Sequence, residues 1–193
     1  MIAYLKGEFV YKTPALVHVD VNGVAYEVHI SLHTYGHLQS LDKGLLYTVL
    51  IVREDAHLLY GFFDVVEKEM FQLLLGVSGI GASTARVMLS YMKPEELARA
   101  IQSGDVKTLE SIKGIGRKTA ERILLELRDK LGKMSPEVNI SPLKNNSLQQ
   151  DALNALTALG INRTAAEQAI KKALQAEPEL KVEELIKKSL RIL

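Results

Sequence analysis

The chain has 193 residues and no cysteine, so neither a disulfide framework nor a thiolate metal site can hold it together. It also has almost no net charge, with 24 Lys+Arg against 23 Asp+Glu for a formal +1. A protein that wraps nucleic acid by charge alone carries a strong basic excess. Any grip on nucleic acid here must be a local patch, multiplied by assembly of several copies. No apolar run reaches the ~20 residues of a membrane span. The opening Met1-Ile2-Ala3-Tyr4-Leu5-Lys6 lacks the charged segment and apolar run of a secretory leader, so a soluble cytoplasmic protein is expected. There is no Gly-x-x-x-x-Gly-Lys-Ser/Thr phosphate loop, and the chain is not expected to hydrolyse ATP itself. No Ser/His/Asp or Cys/His arrangement suggests nucleophilic catalysis. No cofactor is expected.

With 47% apolar and 24% charged residues the composition is that of a globular protein, long enough for one large domain or two to three small ones. The charge is uneven along the chain. Residues 1–64 hold four Lys/Arg against seven Asp/Glu, residues 65–132 eleven against nine, and residues 133–193 nine against seven.

Residues 1–64 read as strands. Leu16–Val21 and Val24–Ile30 flank Asn22-Gly23, the strongest short hairpin signal. Leu45–Arg53 and His57–Phe63 form a second pair around Glu54-Asp55-Ala56, and Ile2–Tyr11 supplies a fifth strand. Ser31 suits the cap of a short helix before the fourth strand. Five short strands with a helix between the third and fourth predict a small barrel of the OB type.

From Val65 the period becomes helical. The pattern predicts helices over Glu67–Leu75, from Pro94 (the first-turn position proline favours) to before Gly104, and over Arg117–Lys130. Residues 133–147 lack periodicity and hold two prolines, which reads as a flexible linker. Three short helices follow in 148–193. Leu148, Ala152, Leu156 and Leu159 share one face, which Gly160 stops. Thr164-x-x-Glu167 resembles a capping box, with Ala166, Ile170, Ala173 and Leu174 after it. Val182, Leu185, Ile186 and Leu190 make the third stripe. The expected class is therefore α+β multidomain: an OB-type barrel (1–64), a helical region (65–132), a linker (133–147) and a three-helix domain (148–193). A bundle so small is marginal as a catalytic scaffold and suits docking.

The helical region contains one pattern twice, thirty-five residues apart: Leu74-x-x-Val77-Ser78-Gly79-Ile80-Gly81-x-x-Thr84-Ala85-x-x-Met88-Leu89 and Leu109-x-x-Ile112-Lys113-Gly114-Ile115-Gly116-x-x-Thr119-Ala120-x-x-Ile123-Leu124. Each reads as a helix, a Gly-Ile-Gly turn and a second helix, the pattern of a helix–hairpin–helix. The glycines let the chain turn and let a ligand approach the backbone. The following helix presents unsatisfied N–H groups and the positive end of its dipole, where a phosphate fits. Ile80 and Ile115 would point inward and staple the helices. Gly79, Gly81, Ser83 and Thr84 in the first copy, and Gly114, Gly116, Arg117, Lys118, Thr119 and Arg122 in the second, are the candidate backbone-binding residues. Arg117, Lys118 and Arg122 would add charge around the second turn, whereas Ala82 and Ser83 leave the first to its N–H groups and Thr84. A lone Gly-x-Gly is usually a tight connection between helices; duplication with matched flanking helices favours nucleic acid.

Two other constellations bear on chemistry. His29, His33 and His37 are four apart, the spacing that aligns metal ligands on a helix, but His29 ends a strand and packed or exposed histidines are the reading preferred, so no metal is expected. On the residues alone Glu54-Asp55 is a solvated hairpin turn. A nuclease would need further carboxylates converging on a divalent ion, and two charges on a tip could instead repel phosphates. A glycosylase of this hairpin class would call on Asp129, but nothing supplies a base pocket. A generic duplex binder and a scaffold with no DNA contact also remain open at this level.

Taken whole, the order of domains resembles the RuvA family. The string Val52-Arg53-Glu54-Asp55-Ala56-x-Leu58-Leu59-Tyr60-Gly61-Phe62 is close to a signature of it, as is Leu109-x-x-Ile112-Lys113-Gly114-Ile115-Gly116-x-Lys118-Thr119-Ala120-Glu121-Arg122. The resemblance implies a bacterial, cytoplasmic, non-catalytic subunit of an ATP-dependent branch-migration helicase acting in recombination and repair. It implies a homotetramer, or two stacked as an octamer, holding a four-way Holliday junction open and square. Lys118 and Thr119 would sit on phosphates, and Glu54 and Asp55 would form an acidic pin that separates strands. Residues 148–193 would bind and regulate the hexameric ATPase RuvB, with the resolvase RuvC as a further partner the resemblance allows.

Overall fold

The computed structural model describes residues 1–133, 148–177 and 180–193. Strands β1 (Tyr4–Thr13), β2 (Leu16–Val21), β3 (Val24–Ile30), β4 (Lys43–Val52) and β5 (His57–Phe62) close a barrel in the order β1-β2-β3-β5-β4. Every neighbouring pair is antiparallel except β3 and β5, which run parallel through His29↔Tyr60 and Ile30↔Gly61. This is the OB-type barrel the strand pattern predicts. Alternation decides which residues enter it: Val17 and Val19 of β2 are buried with Leu5, Phe9, Val28, Ile30, Leu46 and Leu59, while the residues between them face out. Asn22 and Gly23 take positive φ, 54° and 90°, as the two-residue hairpin requires.

Helix α1 (Leu32–Leu38) stands between β3 and β4, with the Ser31 side chain accepting from the Thr34 N–H at 3.0 Å. Lys12 Nζ closes its other end, donating to the carbonyls of Leu38, Gln39 and Leu41 at 3.4, 3.3 and 2.9 Å. Cations are favoured at a helix C-terminus for this reason.

The helical region comprises α2 (Val65–Leu75), α3 (Ala82–Tyr91), α4 (Pro94–Ser103), α5 (Val106–Glu110) and α6 (Arg117–Lys133). Its core is continuous with one side of the barrel: Tyr60 and Phe62 of β5 pack on Phe71 of α2, with ring centroids 5.1 and 4.8 Å apart. Barrel and hairpin helices therefore form one compact unit. Two boundaries differ from the sequence expectation. Helix α2 begins at Val65, because Asp64 caps it by accepting from the Glu67 N–H at 2.8 Å. Helix α6 runs on to Lys133, into the expected linker; the remainder of that segment, 134–147, lies outside the described residues.

A polar cluster sits in the seam between barrel and helices. Glu67 of α2 is fully buried. Its carboxylate accepts from the Ser31 hydroxyl and, at 2.5 Å, from the Thr34 hydroxyl of α1. The Thr34 hydroxyl in turn accepts from the Phe63 N–H at 2.9 Å. Ser90 of α3 accepts from the Leu32 N–H at 3.0 Å, and Arg86 donates to the Ala15 carbonyl at 3.1 Å. Burial pushes the Glu67 carboxyl up; the two hydroxyls and nearby His33 offset that only in part.

The second compact unit contains α7 (Leu148–Ala158), α8 (Arg163–Ala176) and α9 (Val182–Ile192) around Ala152, Leu156, Ala166, Ile170, Ala173 and Leu185. Three details correct the sequence reading. Thr164 is not the cap of α8: Asn162 is, accepting from the Thr164 N–H at 2.9 Å, and Glu167 pairs instead with Arg163 at 2.9 Å. Leu159 is 64% exposed, because α7 ends one residue before it. On α9, Ser189 turns inward and Leu190 outward, and the buried Ser189 hydroxyl has no hydrogen-bond partner among the described residues. Among the described residues no helix is long and apolar enough to cross a membrane.

Candidate nucleic-acid interface

The two Gly-Ile-Gly turns have the same backbone. Gly79 and Gly114 take φ of +90° and +92°, a region side-chain-bearing residues rarely enter. In the first turn the Val77 N–H donates to Leu74 O at 3.0 Å, Ile80 to Val77 O at 3.1 Å and Ala85 to Gly81 O at 2.9 Å. In the second, Ile112 donates to Leu109 O at 3.2 Å, Ile115 to Ile112 O at 3.0 Å and Ala120 to Gly116 O at 2.9 Å. Ile80 and Ile115 are buried, as are Leu74, Leu109, Ala85 and Ala120 around them, so each turn is pinned from beneath. Gly79, Gly81, Gly114 and Gly116 are exposed.

Gly81 and Gly116 have a different meaning from Gly79 and Gly114. Gly81 has an extended backbone, φ −89°, which any residue adopts, and no side chain caps the helix it precedes. A Cβ at either Gly81 or Gly116 would meet nothing within 4 Å. The fold itself therefore does not require glycine there. What the missing side chains leave is open access to the first N–H groups of α3 and α6, the groups no intrahelical acceptor reaches.

The side chains around the turns sort differently from the sequence grouping. Ser83 is exposed and Thr84 half-buried beside the first turn; Lys118 is exposed and Thr119 half-buried beside the second. Lys113 and Lys118 have no ion pair among the described residues. Arg117 donates from Nε to Glu121 at 3.0 Å, and that carboxylate raises the arginine above its ordinary range. Arg122, grouped by sequence with the second turn, reaches the first: its Nη1 donates to the Ser78 carbonyl at 3.0 Å and approaches Ser78 Oγ at 3.4 Å.

Glu54 and Asp55 are exposed on the β4–β5 tip, where the Arg53 N–H donates to the Ala56 carbonyl at 2.8 Å to close the turn. Neither carboxylate has a hydrogen-bonded or ionic partner among the described residues. The three histidines are packing groups: His29 lies against Tyr60 at 5.4 Å, His33 meets His37 edge-on at 4.9 Å, and His37 stacks on Phe63 at 4.4 Å. Burial, then the nearby Arg86 charge, holds His29 below the usual imidazole range. No group of three or more His, Asp or Glu among the described residues has a geometry suited to a metal.

A closed five-strand barrel joined through one core to two matched Gly-Ile-Gly turns defines a tandem helix–hairpin–helix protein built on an OB-type barrel. Comparison with known proteins narrows the class. Residues 1–61 match the family described as RuvA N terminal domain, residues 71–129 the SAM-like Helix-hairpin-helix tandem, and residues 147–193 RuvA, C-terminal domain. The chain is 47% identical over 191 residues to the Holliday junction branch migration complex subunit RuvA of Flavobacterium psychrophilum, with 99% of each chain covered. It is 44% identical over 191 residues to the protein of the same name from Christiangramia forsetii, and 41% identical over 199 residues to that of Bacteroides fragilis, again with 99% of each chain covered. The chain belongs to the RuvA family.

Proposed function

We propose that this protein is the Holliday-junction-binding subunit of a branch-migration complex, a non-catalytic DNA holder acting in recombination and repair. The observation that carries the reading is the duplicated turn: two Gly-Ile-Gly segments with exposed glycines, a buried isoleucine and one hydrogen-bond pattern, each opening the N–H groups of a following helix. Such a device binds phosphate and reads no base. Gly79, Gly81, Ser83 and Thr84 hold one stretch of duplex backbone; Gly114, Gly116, Lys118 and Thr119 hold another. Arg117 joins them once DNA competes for it with Glu121.

One chain with a formal charge of +1 has little to offer a polyanion alone. Four copies around a fourfold axis give each arm of a junction its own pair of hairpins, and the linked sites raise the effective affinity. Glu54 and Asp55 then stand at the crossing as the acidic pin. Two unpaired carboxylates on a tip repel phosphates and part the strands; no further carboxylate converges on them among the described residues, which favours this over a metal-dependent nuclease. The three-helix unit docks the hexameric ATPase, named RuvB in the family, which supplies the ATP-driven motion.

The deciding experiment is a competition gel shift with a labelled four-way junction against excess linear duplex of equal length, in moderate salt with EDTA. Junction binding should persist; equal competition by duplex would leave a generic hairpin binder. Two variants probe the parts. Lys118→Ala should weaken junction binding several-fold and lower the slope of log K against log[salt] by about 1, the signature of one lost phosphate contact; an unchanged slope would remove Lys118 from the interface. Glu54→Gln with Asp55→Asn should leave or raise affinity while altering branch migration. A large loss of binding would show that these carboxylates do something other than repel.

A further inference from the structure

The first hairpin has no cation at its turn, and Arg86 further along α3 donates to the Ala15 carbonyl of the barrel instead. Positions 82 to 84 are Ala, Ser and Thr, where the second hairpin has Arg117, Lys118 and Thr119. Yet a guanidinium lies on it. Arg122 belongs to α6, the helix that opens from the second hairpin, and its Nη1 is 3.0 Å from the Ser78 carbonyl oxygen. A Cβ on Gly79 would sit 3.6 Å from the same nitrogen. Arg122 is exposed and forms no ion pair with a carboxylate among the described residues, unlike Arg117. In the repeat offset by thirty-five residues, the position equivalent to Arg122 is Val87, so the second hairpin receives no such group in return.

From this we propose that Arg122 is both the phosphate cation of the first hairpin and the residue that holds its Ser78-Gly79 turn in the binding conformation. The proposal rests on the DNA-binding reading above and assigns this side chain to one hairpin within it. The chemistry fits arginine. A guanidinium has five N–H donors in a rigid fork; one is used on the Ser78 carbonyl, and the others remain for a phosphate oxygen, which such forks bind well. The bridge also fixes the plane of the Ser78-Gly79 peptide. Each hairpin then works with a cation at its turn, although the only basic residue of the first repeat's second helix, Arg86, is turned to the Ala15 carbonyl.

A double-mutant cycle tests the assignment. Gly79→Ala strains the first turn alone and Gly114→Ala the second alone, since both glycines have strongly positive φ; a Cβ at Gly114 meets nothing within 4 Å, and one at Gly79 meets only Arg122 Nη1, at an ordinary contact distance of 3.6 Å. Arg122→Ala should weaken junction binding about tenfold, the loss of a charge-assisted contact, and lower the salt slope by about 1. In the Gly114→Ala background the same tenfold should recur. In the Gly79→Ala background it should shrink below about threefold, because residues acting through one element are not additive. Should either alanine variant fail to fold, Ser83→Asp and Lys118→Asp mark the two hairpins from exposed positions without backbone strain. Arg122→Gln separates the two roles. The amide resonances of Gly79 and Ile80 in the free protein should move with Arg122→Ala and return with Arg122→Gln, while the salt slope stays low in both. Coupling to the second hairpin instead of the first, or unmoved Gly79 and Ile80 amides, would overturn the proposal while leaving junction binding intact. Failure of the wild type to bind a junction at all would overturn the DNA-binding reading and this assignment together.

Discussion

Glu67→Ala should destabilise the barrel–hairpin unit by roughly 2–6 kcal/mol, because it orphans two buried hydroxyl donors at about 1–3 kcal/mol each. Ser31 and Thr34 are buried beside Glu67 and donate to its two carboxylate oxygens. Glu67→Gln keeps the shape and can still accept from one hydroxyl, so its loss should be much smaller. The pH dependence distinguishes the two forms. Burial raises the Glu67 carboxyl above its ordinary value of 4.5, so the folded chain holds this proton more tightly than the unfolded chain does. That preference stabilises the fold fully below the unfolded value and is lost as pH rises through the folded one. The glutamine variant has nothing to titrate there. The wild-type urea midpoint should therefore fall relative to that of Glu67→Gln from acid to neutral pH. Curves that stay parallel would mean that Glu67 titrates alike in both states.

Removing residues 148–193 should abolish stimulation of the partner ATPase while leaving junction affinity within about twofold. The three helices of that segment have their own core, and they form a compact unit separate from the barrel and hairpins. None of the residues assigned to DNA contact lies in it. Gel-shift titration and ATP turnover with the hexameric ATPase, measured on the same truncated protein, check both halves. Stimulation retained by the truncated chain would end the docking role of these helices, and a collapse of junction binding would place part of the DNA grip in them.

The most legible parts of this molecule were those whose signals are local. Asn22-Gly23 announces its hairpin because only a few residue types tolerate the positive φ that it needs. Val17 and Val19 mark the inner face of β2 through simple alternation. The two Gly-Ile-Gly turns are visible because repetition multiplies a weak pattern, and the matched hydrogen bonds of the two copies bear that reading out. Helix ends were less legible. A cap is one side chain competing with its neighbours: Asp64 begins α2 earlier than the apolar period suggests, and Asn162 rather than Thr164 begins α8. The stripe of α9 misled at Leu190, since a small polar residue, Ser189, takes the inward position.

The sequence by itself determined the barrel, the paired hairpins, the acidic tip and the separate helical tail, because turn chemistry and hydrophobic period act over a few residues. Tertiary structure alone decided what the charged side chains touch. Arg122 crosses 44 residues to the first hairpin, and Glu67 crosses 36 and 33 to reach Ser31 and Thr34. Neither partner can be read from spacing along the chain. A long side chain ends wherever folding brings an acceptor, and a carboxylate becomes buried only because two distant hydroxyls are already there to receive it.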